Sequence, residues 1–356
     1  MAFDESVFLT GFPGFIASRL VRRLATEGAR FLLLVQPAFN ERARDELTRI
    51  ASDAGRSVDD FRVLEGDISR DNLGLSSLDL ELARAETTTI FHLAAIYDLV
   101  VARDVGIRIN VEGTRNVNNF ARTVPRLRRY NYISTCYVAG KRKGRILETE
   151  LRHDAGFRNH YEETKYLAEL EVEALKSELP VTIHRPAVVV GDSRTGETAK
   201  YDGVYYLIHY LLRMPRVVSL VNIGNRKVSL NLVPVDFVVE AITALARDQR
   251  AAGKTVQLAD PQPLTTQELC DVIANTIYGC GSPIALPAWL VQFSLSLPLS
   301  PKITGLPHSG VPYFFLKQTY DISQTLELLE PHRIHCPPFS TYVKAIVDFA
   351  AGHPTF

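Results

Sequence analysis

Short unbroken apolar runs alternate along the chain with longer stretches in which apolar residues recur every three or four positions. The runs occupy residues 7–10, 31–35, 61–65, 88–95, 130–136 and 181–190. They lack the in-out alternation of half-exposed strands and are short for helices, so each reads as a strand covered on both faces. The intervening stretches, among them residues 41–54 and the segment beginning near Val105, carry a single apolar stripe and read as amphipathic helices. Strand and helix in regular alternation predict an α/β fold built on a doubly wound parallel sheet.

Beyond Gly191 the rhythm breaks. A polar loop at 192–200 precedes an aromatic helix at 205–212, a returning strand at 229–235, a helix at 236–246 and one more sheet strand at 256–260. From Pro261 onward proline, aromatic and aliphatic residues dominate, as in Pro312-Tyr313-Phe314-Phe315. The pattern thus divides the chain into a sheet domain of residues 1–191, with 228–260 returning to it, and a smaller apolar C-terminal lobe made of 192–227 and 261–356.

The strand ends carry the candidate chemistry. The first strand runs into Gly11-Phe12-Pro13-Gly14-Phe15-Ile16-Ala17 and then into a helix. In such a turn Gly11 permits the tight bend, Gly14 lets the backbone approach a pyrophosphate, and Ala17 allows close helix-strand packing. The helix N-terminus offers amide donors to the phosphates, which makes residues 11–16 a dinucleotide-site candidate. Gln36 ends the second strand where an NAD site would place an acid, while Arg42 and Arg44 just beyond could pair with a 2′-phosphate. The cofactor is therefore expected to be NADPH, with NADH as the alternative. Asp67 and Ile68 follow the third strand as adenine-side contacts, and Leu93, Ala94 and Ala95 leave room for a ligand at the end of the fourth. His92, in that same strand, is expected to be a core histidine with its hydrogen bonds satisfied. Tyr97 at the strand's mouth, and Cys136 and Tyr137 after the fifth strand, are substrate-side candidates.

Tyr161-Glu162-Glu163-Thr164-Lys165 stands at the start of a predicted helix capped by Asn159, with Glu162 as the reciprocal cap. Four residues is about one helical turn, so the phenol and the ammonium share a face. A nearby cation favours phenolate and would lower the tyrosine pKa, making Tyr161 a candidate general acid.

Composition narrows the function classes. Lysine plus arginine equals aspartate plus glutamate at 40 each, so no nucleic-acid or anionic-lipid footprint stands out. The nine histidines show no metal-ligand spacing, and the four cysteines include no Cys-x-x-Cys. The run at 288–299 is too short for a transmembrane segment and lies among Pro287, Pro298 and Pro301. With an acidic start in place of a basic secretory signal, these features lead to an expected cytoplasmic location.

Six motifs in order give the chain a resemblance to the extended short-chain dehydrogenase/reductases. They are Gly11-x-x-Gly14-x-x-Ala17, His92-Leu93-Ala94-Ala95, Asn110-Val111-x-Gly113-Thr114, Ser134-Thr135, Tyr161-x-x-x-Lys165 and Arg185-Pro186. The phrases around Ser134-Thr135-Cys136-Tyr137, Arg185-Pro186-Ala187-Val188 and Asn231-Leu232-Val233-Pro234 resemble more closely the fatty acyl-CoA reductases and thioester-reductase domains. The resemblance implies a Rossmann-like fold in which Tyr161 donates the proton and Lys165 binds the nicotinamide ribose. It further implies that Thr135 bonds the substrate carbonyl, Asn110 supports a proton relay, and Pro186, Ala187 and Val188 contact the nicotinamide. The implied substrate is a small molecule or acyl thioester, delivered free or on a separate acyl carrier protein, and the implied assembly is a homodimer. Gln36 departs from the arginine usual in the subgroup. A hydroxysteroid- or hydroxyketone-type dehydrogenase, a sugar-nucleotide epimerase and a non-catalytic NADP-binding sensor stay open as alternatives.

Overall fold

The computed structural model describes residues 5–213, 221–282, 284–286, 293 and 311–354. Seven strands form the central sheet: β1 (Ser6–Thr10), β2 (Arg30–Val35), β3 (Phe61–Glu65), β4 (Thr89–His92), β5 (Arg129–Ile133), β6 (Val181–Pro186) and β7 (Thr255–Leu258). Their order is β7-β6-β5-β4-β1-β2-β3, and every pairing is parallel. Val7 lies opposite Phe31 on one side and Thr89 on the other. The strand order reverses between β1 and β4, and at that reversal the carboxyl ends of the strands open a crevice.

The longer helices among the described residues are, in chain order, α1 (Phe15–Ala25), α2 (Asn40–Ala54), α3 (Ser77–Glu86), α4 (Gly113–Arg122), α5 (His160–Glu173), α6 (Val204–Arg213), α7 (Val235–Arg247), α8 (Thr266–Tyr278) and α9 (Phe339–Gly352). Successive strand residues point to opposite faces of the sheet. Val7, Leu9, Leu33 and Val35 meet Leu20, Leu24, Leu47 and Ile242 from α1, α2 and α7. Phe8, Leu32, Leu34 and Ile90 meet Leu80, Val117, Phe120 and Val172 from α3, α4 and α5. Both faces are dry, and this is why the strand sequences run apolar without alternation.

Three expected strands stop early. Residues 88–95 are strand only to His92 and 130–136 only to Ile133, leaving Leu93–Ala95 and Ser134–Cys136 at the rim of the crevice. The expected strand 181–190 breaks at Ala187. Pro186 has no amide to give the ladder, and although Ala187 N–H still reaches Leu258 O at 3.0 Å, Val188 N–H turns to Asn231 O at 3.1 Å. Val188–Val190 therefore pairs in parallel with Leu232–Pro234 outside the main sheet, and the returning strand forms no part of that sheet.

Helices α8 and α9 lie in the stretch read as an apolar lobe. The N-terminus of α8 is fixed by a capping box in which Thr265 Oγ1 accepts from Glu268 N–H at 3.2 Å and Glu268 Oε2 accepts from Thr265 N–H at 2.8 Å. With α6 they bury a third cluster that includes Leu211, Ile273, Phe339 and Ile346. Of the apolar run 290–299, only Phe293 lies within the described residues. Among those residues no helix is long and apolar enough to cross a membrane.

Candidate active site

β1 delivers the chain into a turn that only glycine can make. Gly11 has φ +94°, and a Cβ there would sit 2.8 Å from Ala94 N. A Cβ on Gly14 would sit 2.6 Å from Gly11 O, an approach fixed by Gly14 N–H donating to that oxygen at 2.8 Å. Phe12 is buried, Phe15 and Ile16 pack against the core, and Pro13 lies buried between Phe12 and Gly14. Helix α1 begins with no capping side chain and no acidic residue in its first turn. Its leading amides and partial positive charge are thus left for an anion.

Gln36 and Asp67 meet at the rim beyond β2 and β3. Burial alone would raise the Asp67 carboxyl, but Ser69 N–H at 2.8 Å, the Ser69 hydroxyl and the Gln36 side chain hold it below the usual carboxylate range. Ile68 is buried against Gly113, where a Cβ would come within 2.7 Å of its Cδ1. Arg42 and Arg44 are exposed on α2, and among the described residues neither makes an ion pair.

Leu93 N–H donates to Thr10 O at 3.2 Å, and Ala94 N–H to Thr10 Oγ1 at 3.1 Å, which folds the end of β4 over the end of β1. Ala95 is partly buried beside them. Asn110 lies in a π-helical stretch, Ile107–Glu112, a wider turn of the kind that often marks functional sites. Its Oδ1 accepts from Ile96 N–H at 2.8 Å and its Nδ2 donates to Thr164 Oγ1 at 3.0 Å, tying the crevice rim to α5.

Thr135 ends the β5 segment in extended conformation, its Oγ1 accepting from Tyr137 N–H at 3.2 Å and hydrogen bonding to the Tyr161 phenol. Asn159 caps α5, accepting from Glu162 N–H at 3.0 Å. The reciprocal half of the expected cap is different. The Glu162 carboxylate reaches Arg158 N–H at 3.0 Å, the Arg158 guanidinium at 3.1 Å and Tyr313 OH at 2.8 Å. Tyr161 is buried edge-on against Tyr97, with ring centroids 5.0 Å apart.

Lys165 does not sit over the Tyr161 phenol. Its Nζ donates to Tyr132 OH at 3.0 Å and Ile133 O at 2.9 Å, beneath the helix. A buried ammonium must find acceptors, and the sheet supplies them. Burial pushes Lys165 down to about 8, against the lifting charge of Glu169. Tyr161 moves opposite to the sequence expectation: burial raises its pKa, Thr135 works the other way, and the Glu162 and Asp202 charges raise it further. Desolvation thus outweighs the hydrogen bond.

The substrate-side candidates separate. Tyr137 is partly buried, its ring 4.7 Å from that of Tyr313, and both line a narrow cleft with Ala187 and Val188. Tyr97 lies at the mouth, hydrogen bonded to Asp202 and covered by Lys200 Nζ at 4.8 Å from its ring centroid. Cys136 must be corrected. It is buried at the start of the 3-10 turn Cys136–Ala139, its thiol donating to Arg185 O at 3.1 Å. His92 is a satisfied core histidine, Nδ1 paired with Thr10 Oγ1 at 2.7 Å and Nε2 with Thr114 Oγ1 at 3.0 Å. Tyr132, Asp202 and Tyr313 are neighbours that the sequence did not single out. Only Glu169, one turn after Lys165, had a readable spacing.

The family model described as "Male sterility protein", an NAD-binding family, matches residues 9–242. The chain belongs to this family. Members of this class are NAD(P)-dependent reductases of the extended short-chain dehydrogenase/reductase type. A fatty acyl-CoA reductase of Drosophila melanogaster is 25% identical over 337 residues, spanning 82% of this chain and 64% of its own length. A non-canonical nonribosomal peptide synthetase of Aspergillus campestris is 27% identical over 302 residues, 79% of this chain and 28% of its own. Thus the chain spans less than two-thirds of either relative. The terminal R domain from the myxalamid PKS-NRPS biosynthetic pathway superposes with a TM-score of 0.80 at 25% identity, covering 98% of this chain and 90% of that one. The glycine turn, the crevice at the strand reversal and the uncapped α1 fit a nicotinamide dinucleotide.

Proposed function

We propose that the chain reduces fatty acyl thioesters or fatty aldehydes with NADPH, and that Tyr161 is the general acid. The observation that carries this reading is the convergence of Thr135 and Tyr161, hydrogen bonded to one another, after β5 and at the start of α5, with Tyr137 just beyond Thr135 lining a cleft together with Ala187, Val188, Leu230, Tyr313 and Leu316. When bound, the cofactor supplies hydride to the carbonyl carbon. Tyr161, kept protonated by burial, then gives its proton to the developing oxyanion while the Thr135 hydroxyl orients the phenol. One hydride converts a thioester to a hemithioacetal that collapses to aldehyde and thiol; a second gives the alcohol.

In this reading Gly11, Phe12, Pro13, Gly14, Phe15 and Ile16 hold the pyrophosphate, and Asp67 and Ile68 line the adenine side. Leu93, Ala94, Ala95, Pro186, Ala187 and Val188 border the nicotinamide, and Lys165 binds its ribose. Asn110 acts by positioning α5. Residues 1–191 with 228–260 form the cofactor half, and 192–227 with 261–356 cover the acyl chain, which arrives on coenzyme A or on a separate acyl carrier protein. Incubating the protein with NADPH and a long-chain acyl-CoA, a fatty aldehyde or a ketosteroid, while following nicotinamide absorbance, tests the reading. Oxidation with the first two and none with the ketosteroid is expected; loss of absorbance with the ketosteroid alone would overturn the assignment.

The exposed Arg42 and Arg44 carry the NADPH preference. A charge-assisted bond to a 2′-phosphate contributes about 1.5–3 kcal/mol, so Arg42→Ala with Arg44→Ala is expected to raise the Kd for NADPH by roughly tenfold or more. The Kd for NADH should stay unchanged. Equal losses for both cofactors, measured by nicotinamide fluorescence, would remove the arginines from the site.

A further inference from the structure

Lys165 ends a buried hydrogen-bonded chain that crosses three strands and two helices. From Lys165 Nζ the chain passes to Tyr132 OH on β5 at 3.0 Å, and that phenol lies beside the Thr114 hydroxyl on α4. It continues to His92 Nε2 on β4 at 3.0 Å, and from His92 Nδ1 to Thr10 Oγ1 on β1 at 2.7 Å. Thr10 also accepts Ala94 N–H at 3.1 Å and immediately precedes Gly11. All five side chains are buried.

Proton bookkeeping gives the chain a direction. An ammonium only donates, so the Tyr132 oxygen must accept from Lys165. The Tyr132 hydrogen then goes to Thr114, the Thr114 hydrogen to His92 Nε2, and the His92 Nδ1–H to Thr10. The opposite order would leave the Tyr132 hydroxyl hydrogen without an acceptor beside a positive charge, which is the costlier arrangement. The direction requires a neutral His92. Burial and the Lys165 charge hold it neutral down to about pH 3.

We propose that Tyr132 is a positioning residue for Lys165, and that Thr114 and His92 fix the orientation of its hydroxyl, so that the ammonium is held in place by a wire reaching the glycine turn. The proposal rests on the reading of Lys165 as the ribose-binding lysine. The charged and titratable groups facing Lys165 are Glu169 from its own helix, Tyr132 from β5 and His92 from β4, with Arg185 of β6 engaged by Glu169. Of these, Tyr132 is the one that accepts a hydrogen bond from the ammonium. Losing or misorienting it favours the uncharged amine.

The test uses full-length protein carrying 13Cε-labelled lysine, with the Lys165 resonance assigned by Lys165→Met. The NMR titration of that resonance is measured in wild type, Tyr132→Phe, Thr114→Val and Thr114→Ser. In parallel, kcat and KM are followed against pH with NADPH and a long-chain fatty aldehyde. Tyr132→Phe and Thr114→Val are expected to lower the Lys165 midpoint. The basic limb of kcat should move down with it, giving a loss of about three- to tenfold at pH 8 that recovers toward pH 6 with KM for the aldehyde unchanged. Thr114→Ser, which keeps the hydroxyl, should behave as wild type.

An unmoved Lys165 midpoint in both Tyr132→Phe and Thr114→Val overturns the proposal, as does a Thr114→Ser variant that matches Thr114→Val. Tyr132→Phe preserves the ring volume and carries the decision alone if Thr114→Val does not fold. If no carbonyl is reduced, the functional reading fails, and the NMR titration still decides the positioning role.

Discussion

Replacing Tyr161 with phenylalanine is expected to lower kcat with NADPH and a fatty aldehyde by about 10²–10⁴-fold, the range a positioned proton donor supplies. The ring would keep its edge-on packing against Tyr97, and the substitution removes the hydroxyl bond to Thr135. One such bond contributes about 1 kcal/mol to stability, so the fold and the NADPH Kd should survive. The pH profile separates this role from that of Lys165. Because burial raises the Tyr161 pKa, its acid form is present throughout the neutral range and gives no activity loss there. Lys165 titrates near 8, so activity that needs its charge falls as pH rises through that value. Wild type should therefore show a basic limb near pH 8, and the residual activity of Tyr161→Phe should keep it. Turnover in the variant within about fivefold of wild type would falsify the general-acid role.

The doubly wound sheet was legible because both of its faces are buried. That produces apolar runs such as Phe31-Leu32-Leu33-Leu34-Val35 and leaves little competing interpretation. The glycine turn was legible because steric demand at Gly11 and Gly14 is local, set by atoms a few residues away or on the adjoining strand. Strand ends were less so. Where residues 88–95 and 181–190 leave the sheet depends on partners distant in the chain, Thr10 in one case and Asn231 in the other. The direction of the Lys165 side chain was hidden for a related reason. Helical spacing puts Lys165 and Tyr161 on one face, but the acceptors that capture the ammonium belong to β5 and carry no mark in the helix sequence. Cys136 was a substrate-side candidate by its place after the fifth strand, but its thiol is buried against Arg185 O, a partner 49 positions on that its own neighbourhood does not mark. Tyr313 reaches Glu162 and Asn159 from more than 150 positions away, a contact no local pattern encodes.

Glu169→Gln is expected to be the most destabilising single change near the site. Glu169 Oε1 holds Arg185 through two bonds, Nε at 2.8 Å and Nη2 at 2.5 Å, and its other oxygen accepts from Ser134 Oγ. Both partners of the ion pair are fully buried, and Arg185 also donates to Glu150 O at 3.1 Å. Removing one member of such a pair leaves an uncompensated charge and costs about 3–5 kcal/mol, which should lower Tm by roughly 10 °C. Pairing Glu169→Leu with Arg185→Met removes both charges, and apolar replacement of a buried pair is often close to neutral, so most of that loss should be regained. Lys165 should not recover alongside. The Glu169 charge lifts the lysine against its burial, and the double variant lacks that charge as surely as the single one does. Its melting temperature should return while its basic activity limb stays below that of wild type. A limb that returned together with Tm would show that Glu169 acts on Lys165 only by keeping the helix in place; a limb that stayed low would show that its charge sets the lysine's protonation directly.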